Sequence, residues 1–190
     1  MQSIKNKFRK LENYSNVQEH DQAIDIRGFK VQAGPNLIIG KVESLIVDDR
    51  TDLVRYIEVN TKDFLDSPLN DDNKYRKDEK YTDRFEGGAH YLLIPIGLAT
   101  IDSDNFLVNV VGLHVENIYT GPRHRQDFEV NEDYEYKVVS KFVQNKDSEF
   151  LSKYNTFQNE QAVGLDNHFY QRDYFKTRRS EKGKPNSPML

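Results

Sequence analysis

The sequence predicts a mainly β fold, a small closed or nearly closed β-barrel followed by a C-terminal α-helical extension. Two apolar blocks, Ile24–Val59 and Tyr91–Gly112, break into short strands separated by turn residues, which is typical of an antiparallel barrel. After Gly121-Pro122 the apolar period lengthens to about four residues, which indicates an amphipathic helix. The apolar positions of this helical stripe are Val130, Tyr134, Val138 and Phe142.

Composition limits both the size of the core and the class of partner. Hydrophobic residues make up 36% of the 190-residue chain and charged residues 31%, so we expect a domain of about a hundred residues with polar extensions. A net charge of -4 argues against a protein that coats nucleic acid. The absence of cysteine excludes cysteine-ligated metals and fits a reducing, cytoplasmic compartment. The longest apolar run, Tyr91–Ala99, is shorter than the roughly 20 residues of a transmembrane helix.

The first apolar block divides into three strands joined by turns. Gly40 interrupts the second strand and predicts a β-bulge or a positive φ, which lets a sheet coil tightly. In the third strand, Val54 and Tyr56 lie on one face and Ile57 and Val59 on the other, so both faces need cover. The predicted elements are the strands Ile24–Gln32, Leu37–Val47 and Leu53–Val59, the turn Ala33–Asn36 and the polar loop Asp48–Asp52.

The second block predicts two further strands, Tyr91–Ile101 and Phe106–Val111, joined by a tight turn at Asp102–Asn105. Pro95 has no amide hydrogen to donate to a ladder, so we expect an edge position or a bulge there. The last strand is expected to close the barrel near Gly112.

The predicted domain organisation has a barrel at residues 21–115 with extensions on both sides. Residues 63–88 mix opposite charges and hold few aliphatic side chains, which predicts a mobile charged insertion. Residues 1–20 form a polar arm that is either frayed or folded as a short amphipathic helix. The apolar face of that helix would carry Ile4, Phe8 and Leu11. The remaining segments are a helical extension at residues 116–175 and a disordered basic tail at residues 176–190.

The helical extension needs a surface to pack against, because isolated helices of this length are marginal in water. Asn131 precedes the apolar stripe and is placed to cap its first turn. We therefore predict that the extension packs on the outer wall of the barrel, in cis or from a second subunit. A second short helix is predicted from Phe150, Leu151, Tyr154 and Phe157, and an aromatic cluster from Phe169, Tyr170, Tyr174 and Phe175.

No set of residues predicts a reaction, so we expect neither an enzyme nor a cofactor. The serines lack a Gly-x-Ser-x-Gly turn, and Gly87-Gly88 is not followed by the Lys-Ser/Thr pair of a phosphate loop. The histidines lack His-x-His or His-x-x-x-His spacing, so no metal site is predicted, although His90 and His114 are placed near strand ends. The five histidines are His20, His90, His114, His124 and His168.

Several short motifs, taken in order, resemble the PRC-barrel family, which is named for the cytoplasmic barrel of the photosynthetic reaction centre H subunit. The resemblance covers about residues 24–113. Residues 129–142 are also similar to the segment that follows the barrel in stand-alone bacterial members. The motifs are Asp25-Ile26-Arg27-Gly28, Ile39-Gly40-Lys41-Val42, Val47-Asp48, Val54-Arg55-Tyr56 and Leu93-Ile94-Pro95-Ile96-Gly97-Leu98-Ala99.

The family includes several types of protein, and the function that the resemblance implies depends on which type this chain is similar to. The reaction centre H subunit begins with a transmembrane helix, and the related ribosome maturation factors carry a second barrel before this one. Neither is expected in Met1–Asp21. The resemblance to the stand-alone type implies a protein-binding or scaffolding role without catalysis.

The sequence therefore predicts a non-catalytic protein that binds a partner or a second copy through a barrel edge or the helical extension. An RNA- or ribosome-associated factor that uses the basic termini is one alternative, and a peripheral component of a reaction-centre-like assembly is another. For Arg27, an ion pair with Asp25 competes with a partner contact; for His124, a solvated loop competes with an acidic partner. The candidate partner contacts are Arg27, Arg55, Tyr56, Arg123, His124 and Arg125.

Overall fold

A computed structural model describes residues 8–11, 25–34, 37–64, 90–110, 115–125, 130–142, 169–171 and 173–176. These residues form a mainly β fold, seven strands in one sheet with two α-helices C-terminal to it, as the sequence predicts. The strands are β1 (Phe8–Lys10), β2 (Lys30–Ala33), β3 (Ile38–Asp48), β4 (Leu53–Asn60), β5 (Tyr91–Pro95), β6 (Ala99–Asp102) and β7 (Leu107–Val110). The helices are α1 (Val115–Thr120) and α2 (Glu132–Phe142), and short 3-10 turns cover Ile96–Leu98, Phe169–Gln171 and Asp173–Phe175.

The sheet is organised on β3, which pairs with three other strands. β4 pairs with one edge of β3 from Lys41 to Asp48. β2 occupies the first half of the opposite edge and β1 the second half, both antiparallel. The strand order is β5-β4-β3-β2-β7-β6, in which β2 and β7 are parallel. One long strand therefore positions both the N-terminal arm and the rest of the sheet.

No continuous ladder closes the sheet among the residues that the structure describes. β5 and β6 are consecutive in the chain, yet they lie at opposite ends of the strand order. Pro95 ends β5 because proline has no amide hydrogen, and the chain continues through the 3-10 turn Ile96–Leu98. The predicted strand Tyr91–Ile101 is thus two strands at the two edges, and the predicted edge position of Pro95 is confirmed.

The first predicted strand begins later in the structure than the sequence suggests. Ile26 to Phe29 form a turn in which the Phe29 amide donates to the Ile26 carbonyl at 3.0 Å. Gly28 has a φ of +84°, a conformation that suits glycine and strains other residues. The turn delays β2 until Lys30. β3, β4 and the polar loop between them lie where the sequence predicts.

Phe8–Lys10 of the N-terminal arm form a strand, so the frayed and helical predictions are wrong for these three residues. They pair antiparallel with residues 46–48 of β3, and the Leu11 amide donates to the Leu45 carbonyl at 2.8 Å. Leu11 is buried, and the Phe8 ring meets the Tyr56 ring edge-on. The β3 edge offers backbone partners that the helical spacing of apolar residues does not reveal.

Helix α2 begins and packs as the sequence predicts. Asn131 caps the helix, since its Oδ1 accepts a hydrogen bond from the Tyr134 amide at 2.9 Å. Val138 and Phe142 of the apolar stripe are buried, and Tyr134 is half-buried. The helix packs against β5 of the same chain, which confirms packing in cis for this helix of the extension.

A carboxylate on α2 ties the helix to the sheet and to the C-terminal aromatic residues. Glu135 is fully buried, and its Oε1 accepts hydrogen bonds from the Tyr56 hydroxyl at 2.7 Å and from the Tyr170 hydroxyl. Tyr170 packs with Phe169 and Phe175 at centroid distances between 4.9 and 5.1 Å, which confirms this part of the aromatic cluster. Three segments far apart in sequence thus meet at one buried carboxylate.

Several predicted features lie outside the described residues. They are the charged insertion beyond Phe64, the second short helix, the basic tail beyond Lys176, the Tyr174 side chain, Ile4, His20, His114 and His168. These predictions stay predictions.

Gly40→Val is expected to destabilise the fold because β4 approaches Gly40 closely. Gly40 lies beside a register shift between β2 and β3, as the bulge prediction requires, and its φ is not positive. A Cβ there would lie 2.3 Å from the Asn60 carbonyl oxygen. We expect the free energy of unfolding in urea to fall by more than about 1 kcal/mol. Lys41→Val, at the exposed neighbouring position, is the control and should change it by less than about 0.5 kcal/mol; equal values for the two variants would contradict the prediction.

Tyr56→Phe and Tyr170→Phe should each lower the free energy of unfolding by about 1–3 kcal/mol, since each removes a hydrogen bond to a buried charged group. Both hydroxyls donate to the same oxygen of Glu135. The double variant should therefore depart from additivity by more than about 0.5 kcal/mol. Strictly additive losses in urea denaturation would show that the two hydrogen bonds are independent.

Candidate functional site

Residues Phe8–Leu11, here called the arm segment, lie along the second half of the β3 edge. Arg9 reaches the turn between β3 and β4, where its Nη2 lies 2.6 Å from Asp52 Oδ1 and its Nε lies 3.2 Å from Asp49 Oδ1. The turn is acidic and the arm segment is basic, so charge attraction adds to the backbone pairing. The arm segment is therefore bound both as a strand and by its side chains.

The second cation of the arm segment meets a fully buried carboxylate. Lys10 Nζ lies 2.8 Å from Glu58 Oε2, and the lysine side chain is 40% exposed while that of Glu58 is 0% exposed. Glu58 lies within β4 between Ile57 and Val59, which are apolar and fully buried. An ionised carboxylate in such surroundings needs a cation and hydrogen bonds to offset its lost hydration. Lys10 supplies that cation.

The loop after α1 brings a histidine to the same carboxylate. His124 Nε2 lies 3.5 Å from Glu58 Oε1. The loop is fixed by backbone bonds, because the His124 amide donates to the Tyr91 carbonyl at 2.8 Å and the Tyr91 amide donates to the His124 carbonyl at 3.2 Å. Glu58 therefore lies where β4, the arm segment and this loop meet.

Tyr134 and Arg123 add polar contacts around the loop that carries His124. Arg123 Nη1 donates to Thr61 Oγ1 at 3.0 Å, and the Tyr134 hydroxyl donates to the Pro122 carbonyl at 3.1 Å. Burial raises the pKa of Tyr134; the positive charge of Arg123 opposes the rise, and the negative charge of Glu58 adds to it. The tyrosine hydroxyl thus stays protonated and continues to donate to the loop.

The turn between β6 and β7 exposes a phenylalanine. Phe106 is 66% exposed and has a φ of 52°, in the left-handed region. The turn is held by Asn105 Nδ2, which donates to Asp102 Oδ2 at 2.8 Å, and by the Lys30 amide, which donates to the Phe106 carbonyl at 3.1 Å. The ring meets Phe29 edge-on at 5.3 Å. A bulky residue rarely adopts this φ because its Cβ crowds the backbone.

A small open cleft lies beside the turn before β2. Its volume is about 290 Å³, and Asn60 Nδ2 donates to Glu43 Oε2 at 3.2 Å within its wall. Cations and carboxylates both line the cleft, so it does not select an ion of either sign. The lining residues are Arg27, Gly28, Lys41, Val42, Glu43, Asn60, Asp63 and Phe64.

Three of the six predicted partner contacts are not on the surface. Tyr56 is 0%, His124 5% and Arg55 7% exposed, because the arm segment, α2 and the C-terminal aromatic residues cover them. Arg55 packs over the Tyr170 ring at 4.6 Å. His124 is therefore buried, whereas both sequence interpretations place it at the surface.

The other three predicted contacts keep some exposure. Arg27 is exposed, and its Nε donates to Asp25 Oδ1 at 2.9 Å, so the predicted ion pair is confirmed. Arg123 and Arg125 are half-buried. Of the six, Arg27 alone is exposed rather than half-buried or buried in the described part of the chain.

Sequence reasoning missed Glu58, Lys10 and Phe106. Glu58 had a usable signal, since an acidic residue between Ile57 and Val59 in an apolar strand demands a partner. Phe106 was predicted as the first residue of a strand, although it directly follows the polar turn. Lys10 gave no signal, because its carboxylate partner lies 48 positions further along the chain.

Neither metal ligands nor a membrane span were found in the part of the chain that the structure describes. Within it, no three or more potential ligand side chains group to hold a metal ion. No helix in the same part is long and apolar enough to cross a bilayer. The His90 carbonyl accepts hydrogen bonds from the Thr61 amide and hydroxyl, which is a structural contact.

Stability should fall at alkaline pH because folding raises tyrosine pKa values. Burial raises the pKa of Tyr134, and burial followed by the Glu135 charge raises that of Tyr170. In the unfolded chain both ionise near about 10, so the contribution is fully present below that pH and is lost above it. The free energy of unfolding should fall by up to about 1.4 kcal/mol per pH unit per tyrosine. Urea denaturation at increasing pH measures this slope, and Tyr170→Phe should reduce it; an unchanged slope would contradict the assignment.

Comparison with known families agrees with this architecture. The PRC-barrel domain matches residues 20–115, a range that holds β2 to β7 and makes up just over half of the 190 residues. No curated protein matches the chain. The arm segment and α2, which carry Lys10 and Glu135, lie outside the matched range. With its barrel strands in the matched range, the chain belongs to the PRC-barrel domain family.

Proposed function

We propose that this chain is a non-catalytic PRC-barrel protein that binds another protein, as an adaptor or scaffold in the cytoplasm. The observation that carries the proposal is Phe106, which projects from a fixed turn with 66% of its surface exposed. The absence of cysteine agrees with a reducing, cytoplasmic setting.

The backbone conformation of Phe106 lowers the stability of the isolated chain, because a left-handed φ costs a non-glycine residue about 1–2 kcal/mol. The ring, which is exposed, returns little of this cost through burial. Glycine or asparagine would relieve the backbone cost. Strained residues cluster at functional sites, and rigid exposed aromatic rings are the anchors on which protein interfaces depend. A protein partner with an apolar pocket fits these properties.

The burial of two carboxylates, Glu58 and Glu135, favours a role in stabilising the fold over a role in acting on a substrate. Glu58 and Glu135 are both 0% exposed, and each joins segments of the chain that are far apart in sequence. A general acid or base must come within hydrogen-bond distance of a substrate. Full burial against the chain's own side chains works against such contact, which favours binding over catalysis.

An RNA-binding role has less support from the described cations. Seven of them form ion pairs with carboxylates of the same chain. Phosphate binding draws its affinity from cations that replace the counterions of the nucleic acid, so these pairs would first have to break. The seven cations are Arg9, Lys10, Arg27, Arg50, Arg55, Lys137 and Lys176.

Phe106→Asn should leave the fold intact, with equal or higher thermal stability, and remove the binding anchor. The full-length wild-type chain is used to capture a partner from native lysate, and the partner is purified. The wild-type chain and Phe106→Asn are then each titrated with the partner by calorimetry. We expect Phe106→Asn to weaken binding at least about tenfold, as loss of an aromatic anchor does.

Arg50→Ala is the matched control, because its side chain is also exposed (69%) and also lies on a turn. It should bind like the wild-type chain. Unchanged affinity of Phe106→Asn for every purified partner would remove Phe106 as the anchor and with it the support for the proposal.

A further inference from the structure

We propose that the second half of the β3 edge is a strand-acceptor site for an extended segment of a partner protein with the pattern apolar–Arg–Lys–apolar. In this structure the arm segment occupies the site, so the chain covers the site with its own sequence. The inference rests on the proposed protein-binding function and names the chemistry of the partner. The site is separate from Phe106, which lies on the β6–β7 turn.

Backbone pairing is the first requirement of the site. Residues 46–48 of β3 pair with the arm segment on one edge, while β4 takes the other edge. β2 pairs with residues 38–41 of β3, so the later part of that edge needs a different strand. A strand edge is a template onto which an extended segment of another chain can add.

Apolar contacts at the two ends of the arm segment define its outer positions. The Phe8 ring meets the fully buried Tyr56 ring edge-on at 6.0 Å. Leu11 enters the core with 3% exposure, and its amide donates to the Leu45 carbonyl at 2.8 Å. A segment that replaces the arm must therefore carry apolar side chains at both of these positions.

Charged contacts define the two positions between them. Arg9 meets Asp49 and Asp52 of the hairpin turn, and Lys10 meets Glu58 at 2.8 Å. Because Glu58 is fully buried, a segment without a cation here would leave its charge poorly compensated, and an acidic segment would be repelled. The site thus selects its strand by charge as well as by backbone pairing.

The arm segment is attached in a way that permits exchange. It is a three-residue strand, and the Arg9 and Lys10 side chains are 33% and 40% exposed, so water weakens their ion pairs. A three-residue edge strand opens locally more readily than the longer core strands. A partner segment still competes with a tethered strand at a high effective concentration, so a second contact such as Phe106 would favour the exchange.

The test is a fluorescence anisotropy titration with a labelled synthetic peptide of residues 5–14, KNKFRKLENY. The full-length wild-type chain is compared with an open variant, Phe8→Ser with Lys10→Ser, which weakens the arm without shortening the chain. The peptide should bind the open variant at least about tenfold more tightly, because the tethered arm no longer competes. The same peptide with Lys10→Glu should bind the open variant at least about tenfold more weakly.

Adding Glu58→Gln to the open variant isolates the buried carboxylate. Without the charge of Glu58, the two peptides should bind with similar affinity. Absence of peptide binding to a folded open variant, or equal binding of the two peptides to it, would overturn the proposal.

Hydrogen exchange on the wild-type chain tests the same site if the open variant does not fold. The Leu11 amide should exchange faster than the amides of β4. Excess unlabelled peptide should raise this exchange rate further, because a bound peptide occupies the site and keeps the arm segment displaced. Exchange of Leu11 at the rate of β4, with or without peptide, would show that the arm leaves only on global unfolding and would overturn the proposal.

Sedimentation of the wild-type chain identifies the occupant. A monomer at all concentrations supports a partner of another sequence, whereas a dimer that Lys10→Glu abolishes would assign the site to a second copy and overturn the partner assignment. If a partner binds through Phe106 but the peptide does not bind, the strand-acceptor site is removed and the proposed function stands. If the peptide binds but no partner depends on Phe106, the strand-acceptor site is supported and the proposed function loses its anchor.

Discussion

The charge of Glu58 is the constraint on which the rest of this structure depends. A carboxylate at 0% exposure within a strand has lost its water, and it is tolerated only where other groups of the protein replace that hydration. The arm segment brings Lys10 to it, and the loop after α1 brings His124. Glu135 has the same role for Tyr170 and for α2. The apolar core thus holds the sheet together, while two buried carboxylates determine where its extensions pack.

Local patterns are enough to predict β3, β4, their hairpin and α2, because alternation, turn residues and the Asn131 cap all act over a few positions. The arm strand could not be predicted in this way. Its backbone partners are residues 46–48, far along the chain, and its apolar spacing imitates that of a helix. Proline indicated an edge position at Pro95, but alternation did not show that the strands on its two sides lie at opposite ends of the sheet.

Exposure is a tertiary property, so local patterns that indicate strands do not indicate which side chains reach the surface. Tyr56 and His124 have the chemistry of surface contacts, yet segments from both ends of the chain cover them. Phe106 has the chemistry of a core residue, yet its backbone conformation turns it outward. Only Glu58 was open to a sequence argument, because a charge within an apolar strand implies a partner even when that partner is unknown.

The pairing of Lys10, which is 40% exposed, with the buried carboxylate of Glu58 on β4 is an argument about specificity. Desolvation of the carboxylate makes such a pair less stabilising than apolar side chains of similar volume would be. An apolar edge, however, would pair with many strands and promote aggregation. Glu58 discriminates against segments without a cation, and the acidic hairpin turn beside it repels acidic ones. In the proposed function, Phe106 then supplies apolar contact that many partners share, and Glu58 supplies the discrimination between them.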